Sequence, residues 1–193
     1  MSMTKAANKN APANIVNGID LDALHETVAA IEQDPTRALL RFRVATQWLG
    51  QTRTRATIEG FERAGEWIER GFTIAADEPT ELLGSNTAPN PQELLMAGLN
   101  ACMSVGYVAG AATRGITLNH LRIESEGRID VRGFLGHPDV PAGYTEIKLK
   151  VEIGGNGSAE QFREIHEAVL KTSPNVFNLT QPVRIAADLA IRG

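Results

Sequence analysis

Apolar side chains at three- and four-residue steps mark the first predicted element of the chain. The series is Leu21, Leu24, Val28 and Ile31. This spacing is typical of an amphipathic helix, which we predict over residues 20–34 because Asp20 can cap it and Pro35 cannot continue it. We interpret residues 1–36 as a tail and helical arm, with disorder expected over residues 1–14, and residues 37–193 as the main domain.

Strict alternation of apolar and polar side chains follows the arm and predicts strands. It covers residues 40–48, resumes over residues 52–61 and continues over residues 67–76. Alternation of this kind is typical of half-buried strands. Turn residues separate the three segments, so we predict an antiparallel meander.

An uncharged stretch over residues 94–113 predicts the longest helix of the chain. Asn90 suits the N-cap, Pro91 the first helical position and Glu93 the third, which together resemble a capping box. Gly115 marks the C-terminal end. The stretch has the length of a membrane span, about 20 residues. Its glycine, alanine and polar residues favour a helix buried inside a protein, and we expect no membrane partner.

The C-terminal half predicts two paired strands, a helix and a last strand. Alternation over residues 118–134 and 144–153 predicts strands that pair with each other. Ser158 and Gln161 form a second capping-box pattern ahead of an amphipathic helix. Ser173-Pro174 ends that helix, and residues 183–191 are predicted to form the final strand.

These elements predict an α+β fold, because the strands come in antiparallel runs rather than alternating with helices. A helix without a polar face needs cover on all sides, and one sheet covers one side only. We therefore predict an obligate homodimer. Gly106 and Gly110 are expected to allow close contact between helices at its interface.

Composition excludes several classes of protein. The chain has 193 residues and a net charge of −4, and its pI is near 5.6, which disfavours a general nucleic-acid binder. A single cysteine excludes an internal disulfide. The four histidines show no spacing of a metal site, so we expect no metal and no cofactor. With no signal-peptide pattern, a cytoplasmic protein is the default.

Cys102 is the candidate reactive side chain. One interpretation makes it a small apolar core residue, since free cysteines are among the most buried residue types. The other makes it a nucleophile, which requires a thiolate and therefore a nearby cation and some access. Arg53, Arg55 and Arg63 on the first predicted hairpin are candidate cations, although each also fits a solvated strand face.

Three segments resemble the OsmC/Ohr family. They are residues 84–102, which read Gly-Ser-Asn-Thr-Ala-Pro-Asn-Pro-Gln-Glu-Leu-Leu and end at Ala-Cys, residues 115–118 (Gly-Ile-Thr-Leu), and residues 126–136 (Glu-Gly-Arg-Ile-Asp-Val-Arg-Gly-Phe-Leu-Gly). The resemblance covers residues 40–193. It implies antiparallel sheets packed around long central helices, an intertwined homodimer with sites at its interface, and thiol-dependent reduction of organic hydroperoxides.

The resemblance assigns roles to particular positions. Cys102 falls on the peroxidatic cysteine of the family, and Ser173 stands where the second cysteine usually precedes a proline. The family glutamate falls on Gln92. Glu93 is one residue later and about 100° around the helix, so a capping role suits it better.

The family arginine has two places. In one branch it falls on residues 75–78, which contain no arginine here. In the other it falls near the first hairpin, where Arg53, Arg55 and Arg63 are available.

Two functions follow as alternatives. In the first, the chain is a one-cysteine hydroperoxide reductase in oxidative-stress defence, and Cys102 depends on an external thiol because Ser173 cannot form a disulfide. In the second, it is a non-catalytic dimer on the same fold that binds an apolar small molecule at the interface, where Cys102 is part of the lining.

Overall fold

A computed structural model describes residues 14–192 of the chain. The predicted disordered tail lies outside this part, apart from Asn14. The chain divides into two compact units, residues 1–89 and 90–193. The predicted separation of an arm at residues 36 and 37 stays a prediction.

The N-terminal unit contains a short helix and a sheet. Its elements are β1 (Ile15–Val16), β2 (Ile19–Asp20), α1 (Leu21–Gln33), a 3₁₀ turn (Pro35–Ala38), β3 (Leu40–Phe42), β4 (Ala45–Trp48), β5 (Thr54–Arg63), β6 (Glu66–Ala76) and a second 3₁₀ turn (Thr80–Leu82). The predicted cap is confirmed, because the Asp20 carboxylate accepts hydrogen bonds from the backbone N–H groups of Asp22 and Ala23. The predicted meander is confirmed as well, with β5 pairing antiparallel to β3, β4 and β6.

The strand predicted over residues 40–48 is interrupted. It forms two short strands, β3 and β4, and their register on β5 shifts by one residue between them. The β5–β6 pairing shifts at the same height, between Ile58 and Gly60. At Gly60 an added Cβ would lie 2.4 Å from the Ile68 carbonyl oxygen, so only glycine fits this bulge. A bulge twists the sheet locally, and this one explains why one alternating run becomes two strands.

One face of this sheet is apolar and exposed. Cross-strand register aligns Phe42, Phe61 and Ile68 on it, and Ile58 opposite Phe72. Phe72 keeps 54% of its surface accessible, and the side chains of β3 and β4 are exposed throughout. The prediction of a half-buried strand over residues 40–48 is therefore wrong within a single chain, whereas β5 keeps partly buried side chains, among them Ile58 and Phe61.

The C-terminal unit is organised around one long helix. Its elements are α2 (Pro91–Ala112), β7 (Leu118–Gly127), α3 (Val131–Phe134), β8 (Ile147–Gly155), α4 (Ala159–Thr172) and α5 (Pro174–Thr180). Both capping boxes are confirmed, Asn90 with Glu93 on α2 and Ser158 with Gln161 on α4. The predicted pairing of β7 with β8 is also confirmed.

Two strand predictions in this unit are wrong. The strand predicted to reach residue 134 ends at Gly127, because Asp130 caps the short helix α3 through the backbone N–H of Arg132. The last predicted strand does not form either. Residues 182–192 have no regular secondary structure, and their apolar side chains are exposed, with Ile185 and Leu189 nearly fully so.

The core of this unit lies between α2, α4 and the apolar face of the β7–β8 hairpin. Its buried members are Leu99, Met103, Tyr107, Ala111, Ile116, Ile165 and Val169. Gly106 and Gly110 face α4 of the same chain, where added Cβ atoms would lie 3.1 Å from Val169 and 3.3 Å from Ile165. The expectation that these two glycines serve a contact between subunits is therefore wrong.

Helix α2 is buried along one side only. It is long and apolar enough to cross a membrane by length and composition, and 22% of its most apolar window is buried within the chain. Its core residues pack on β7 and α4, whereas Val105 on another side is 69% exposed. The expected cover on all sides does not come from the described residues of one chain.

Candidate functional site

Cys102 lies in the middle of α2 and is half-buried. Its Sγ atom accepts a hydrogen bond from the hydroxyl of Ser173, at an Oγ–Sγ distance of 3.3 Å. The two residues are 71 positions apart in the chain. The structure therefore brings together the two positions that the sequence assigned to the reactive cysteine and to the missing second thiol.

The junction of α4 and α5 holds Ser173 in place. Pro174 occupies the first position of α5, and Ser173 is the residue that ends α4 and caps α5. Its backbone N–H donates to the Val169 carbonyl at 2.9 Å. Its hydroxyl oxygen accepts from the Val176 N–H at 3.4 Å. Since the side chain is only 6% exposed, it is fixed against the sulfur with little room for water.

Gln92 and Glu93 lie on the first turn of the helix that carries Cys102. Glu93 closes the capping box, its carboxylate accepting from the Asn90 N–H at 2.9 Å. At 1.5 Å of rise per residue, Gln92 is about 15 Å from Cys102 along the axis, so neither side chain can touch the sulfur of its own chain. Any such contact would have to come from another copy of the chain, and the catalytic roles of both residues stay predictions.

The candidate arginines belong to the other unit. Arg53 lies in the turn before β5, Arg55 within β5 and Arg63 at its end, and all three are exposed. Arg55 lies opposite Gln47 and Ala75, on the face of the sheet that is away from Phe72. Within residues 14–192, none of the three guanidinium groups makes an ion pair or side-chain hydrogen bond. Their role as thiolate partners stays a prediction.

A buried carboxylate in the N-terminal unit was missed by the sequence analysis. Asp77 is 1% exposed and accepts hydroxyl hydrogen bonds from Thr52 at 2.6 Å and Thr87 at 2.7 Å. It also accepts from the backbone N–H groups of Glu78, Ser85 and Thr87. The Thr52 bond, with the bonds from Thr87 and Ser85, lowers the pKa of Asp77 well below its usual value. All of these donors belong to Thr52 or to residues 78–87, so the carboxylate organises the loop that precedes α2.

A tyrosine–histidine pair in the C-terminal unit was also missed. The Tyr107 hydroxyl and His166 Nδ1 share a hydrogen bond at 2.5 Å, and the two rings stack. Tyr107 is fully buried between α2 and α4, and this burial raises its pKa to about 12. The two residues are 59 positions apart, and no sequence pattern connects positions at that distance. Only the packing of α2 on α4 reveals the pair.

One cleft of the C-terminal unit is lined by residues that do not include Cys102. It has a volume of about 280 Å³ at the end of the β7–β8 hairpin, and its lining is Glu126, Gly127, Arg128, Thr145, Glu146 and Lys148. Charged side chains of both signs dominate it, so it does not suit an apolar ligand. Among the described residues, no group of three or more His, Cys, Asp or Glu side chains is placed to hold a metal ion.

Solved structures of similar fold come from several bacteria. An OsmC-like protein from Mycoplasma pneumoniae is 22% identical with a TM-score of 0.57, over 72% of this chain and 86% of that one. An OsmC-like protein of unknown function from Vibrio cholerae is 12% identical with a TM-score of 0.55, over 70% and 91%. A proposed osmotic stress induced and detoxification response protein from Psychrobacter arcticus is 18% identical with a TM-score of 0.54, over 69% and 84%. At these identities the likeness shows a shared fold.

The family is identified from the amino-acid sequence rather than from the fold. A comparison with curated proteins finds none that matches the chain. The family model described as OsmC-like protein matches residues 84–188, which is more than half of the chain and includes both Cys102 and Ser173. The predicted resemblance and the α+β fold class are therefore confirmed, and the chain belongs to the OsmC-like family.

Proposed function

We propose that this protein reduces organic hydroperoxides through Cys102, with an external low-molecular-weight thiol as reductant. The observation that carries the proposal is the half-buried Cys102 sulfur inside the segment that the family model matches. This sulfur accepts a hydrogen bond from Ser173, which stands in place of a second thiol. A half-buried sulfur is partly accessible to a small peroxide, and the chain contains no other cysteine with which an oxidised Cys102 could pair.

The reaction balances without a second cysteine. The Cys102 thiolate attacks one peroxide oxygen, the O–O bond breaks, and the alcohol leaves after taking up a proton, which leaves a sulfenic acid on Cys102. An external thiol then attacks the sulfenic sulfur and water leaves, giving a mixed disulfide. A second external thiol releases the Cys102 thiol and an external disulfide. One hydroperoxide and two thiols thus become one alcohol, one water and one disulfide.

The test is a peroxidase assay on the full chain. With excess dithiothreitol, the wild-type protein is expected to consume cumene hydroperoxide well above the rate of the Cys102→Ser variant. Ser104→Ala is a matched control on the same helix, because the Ser104 hydroxyl bonds only to the Asn100 carbonyl, and it should retain the wild-type rate. If wild type and Cys102→Ser consume peroxide equally, the proposal fails and the non-catalytic binding of an apolar molecule becomes the better hypothesis.

We further propose that the chain acts as a homodimer. Two surfaces support this: the exposed apolar face of the β3–β6 sheet around Phe72, and the side of α2 that carries Leu95 and Val105. Contiguous exposed apolar surface usually marks an interface. In a dimer, Gln92 and the arginines of one copy could approach Cys102 of the other copy. Within its own chain, Gln92 is too far along the helix to reach it.

A further inference from the structure

The Ser173 hydroxyl makes two hydrogen bonds at once, one as acceptor and one as donor. Its oxygen accepts from the Val176 N–H, and its single hydrogen points to Cys102 Sγ. A hydroxyl has one donor and two acceptor positions, so these bonds do not compete. Because the oxygen already accepts from the first turn of α5, its proton is polarised toward the sulfur.

Ser173 is the only side-chain donor on the Cys102 sulfur among the residues that the structure describes. A neutral thiol is a weak acceptor, whereas a thiolate is a full anion, so the same hydrogen bond is stronger after deprotonation. A hydrogen bond to the charged form favours that form. The near-complete burial of Ser173 matters here, because water cannot easily replace the bond when it is lost.

We propose that Ser173 is a positioning residue that stabilises the Cys102 thiolate and fixes the direction of its sulfur. This inference rests on the proposed function, because it assigns Ser173 a role toward the thiolate that would attack the peroxide. The side chain does not enter the redox chemistry. It donates one hydrogen bond and leaves the open side of the half-buried sulfur for the peroxide and the external thiol.

The test measures alkylation of Cys102 by iodoacetamide in the full chain across a range of pH. Ser173→Ala removes the donor, so the midpoint of the rate profile is expected to move to higher pH. The rate below the midpoint should fall about threefold to tenfold, as expected for loss of one hydrogen bond. The limiting rate at high pH should change little. A merely structural role would alter that limiting rate through access and leave the midpoint in place.

Matched variants separate the donor role from the capping role. Ser173→Thr keeps the hydroxyl and should restore the wild-type profile. Ser173→Asp keeps a good cap for α5 but replaces the donor by an anion, so its midpoint should move up even further. Thr172→Ala removes a neighbouring exposed hydroxyl that bonds only to the Ala168 carbonyl, and it should have no effect.

The outcomes for this inference and for the proposed function are distinct. Superimposable profiles for wild type, Ser173→Ala and Ser173→Asp would overturn the role of Ser173, even if the peroxidase activity is present. A shifted profile together with an inactive peroxidase assay would retain the role of Ser173 toward the thiolate and remove the hydroperoxide reaction. If Ser173→Ala fails to fold, Ser173→Gly removes the same donor without adding a charge, at a cap position that glycine tolerates, and its midpoint decides the matter.

Discussion

At the scale of single residues, Asp77 has the most demanding environment in the N-terminal unit. Two hydroxyls and three backbone N–H groups converge on one carboxylate, and they come from both sides of the loop that it organises. Protonation would turn one acceptor oxygen into a donor that faces other donors. The network is therefore specific for the anion, which is why the pKa of Asp77 is lowered.

Asp77→Asn is expected to lower the urea midpoint of unfolding at neutral pH. The lowered pKa means that the ionised carboxylate stabilises the folded state fully above the ordinary aspartate value of 3.8. That stabilisation is lost progressively as the pH falls below this value. The difference between wild type and variant should thus be constant from pH 5 to 7 and shrink toward pH 2. The exposed Asp139→Asn is the control, and an equal effect of both variants would contradict this account.

Residue identities were easier to predict than residue neighbours. Cys102 could be singled out as the one cysteine of the sequence, and Ser173 through the family resemblance, which places the second cysteine before Pro174. Their contact could not, since it depends on how α2 meets the α4–α5 junction. Asp77, Tyr107 and His166 carry no motif at all, and their partners are distant in sequence. Periodicity predicts which side of an element is buried, but it does not predict which polar atoms meet there.

At the scale of elements, caps were predicted better than strand ends. Asn90 and Ser158 begin helices where expected, because a capping box is a local pattern that the backbone satisfies by itself. The strand predicted through residue 134 failed, since Asp130 starts a helix that alternation does not reveal. Residues 183–191 alternate like a strand, but a strand requires a hydrogen-bonding neighbour, and the described chain offers none there.

Alanine substitutions at two glycines of α2 test how closely this helix packs on its neighbours in the same chain. At Gly98 an added Cβ would meet only the Asn175 amide nitrogen at 3.8 Å, an ordinary contact, whereas at Gly106 it would lie 3.1 Å from Val169. Gly98→Ala should raise the free energy of unfolding by up to about 1 kcal/mol through helix propensity. Gly106→Ala gains the same propensity but must displace Val169, at a cost of about 1–3 kcal/mol. Urea unfolding that ranks Gly106→Ala at or above Gly98→Ala in stability would contradict the observed packing of α2 on α4.

At the scale of the whole molecule, the apolar face of the sheet is the surface that a single chain leaves exposed to solvent. Its aromatic and aliphatic side chains form one surface across β3, β5 and β6, while the opposite face combines Arg41, Glu62 and Thr73 with the exposed Trp67. Exposed surface of this kind is costly in water. The proposed second copy would remove it from solvent.

Analytical ultracentrifugation at micromolar concentration is expected to show a stable dimer. Phe72→Glu places a charge on the apolar face and should shift the protein toward monomer or lower its stability. Thr73→Glu, the adjacent residue on the opposite face, is the matched control and should leave the dimer intact. A wild-type monomer, or equal effects of the two variants, would exclude this face as the interface.

The same sheet has a consequence for the order of folding. Strands β3 to β6 are consecutive in the chain, and short turns join β4 to β5 and β5 to β6, so their contacts are local and are expected to form early. The packing of α2 on α4 joins segments about 60 positions apart and must wait for the rest of the chain to be synthesised. A growing chain would therefore present the finished apolar face while its C-terminal half is still on the ribosome. Protection by chaperones at that stage would matter more for this protein than its modest size suggests.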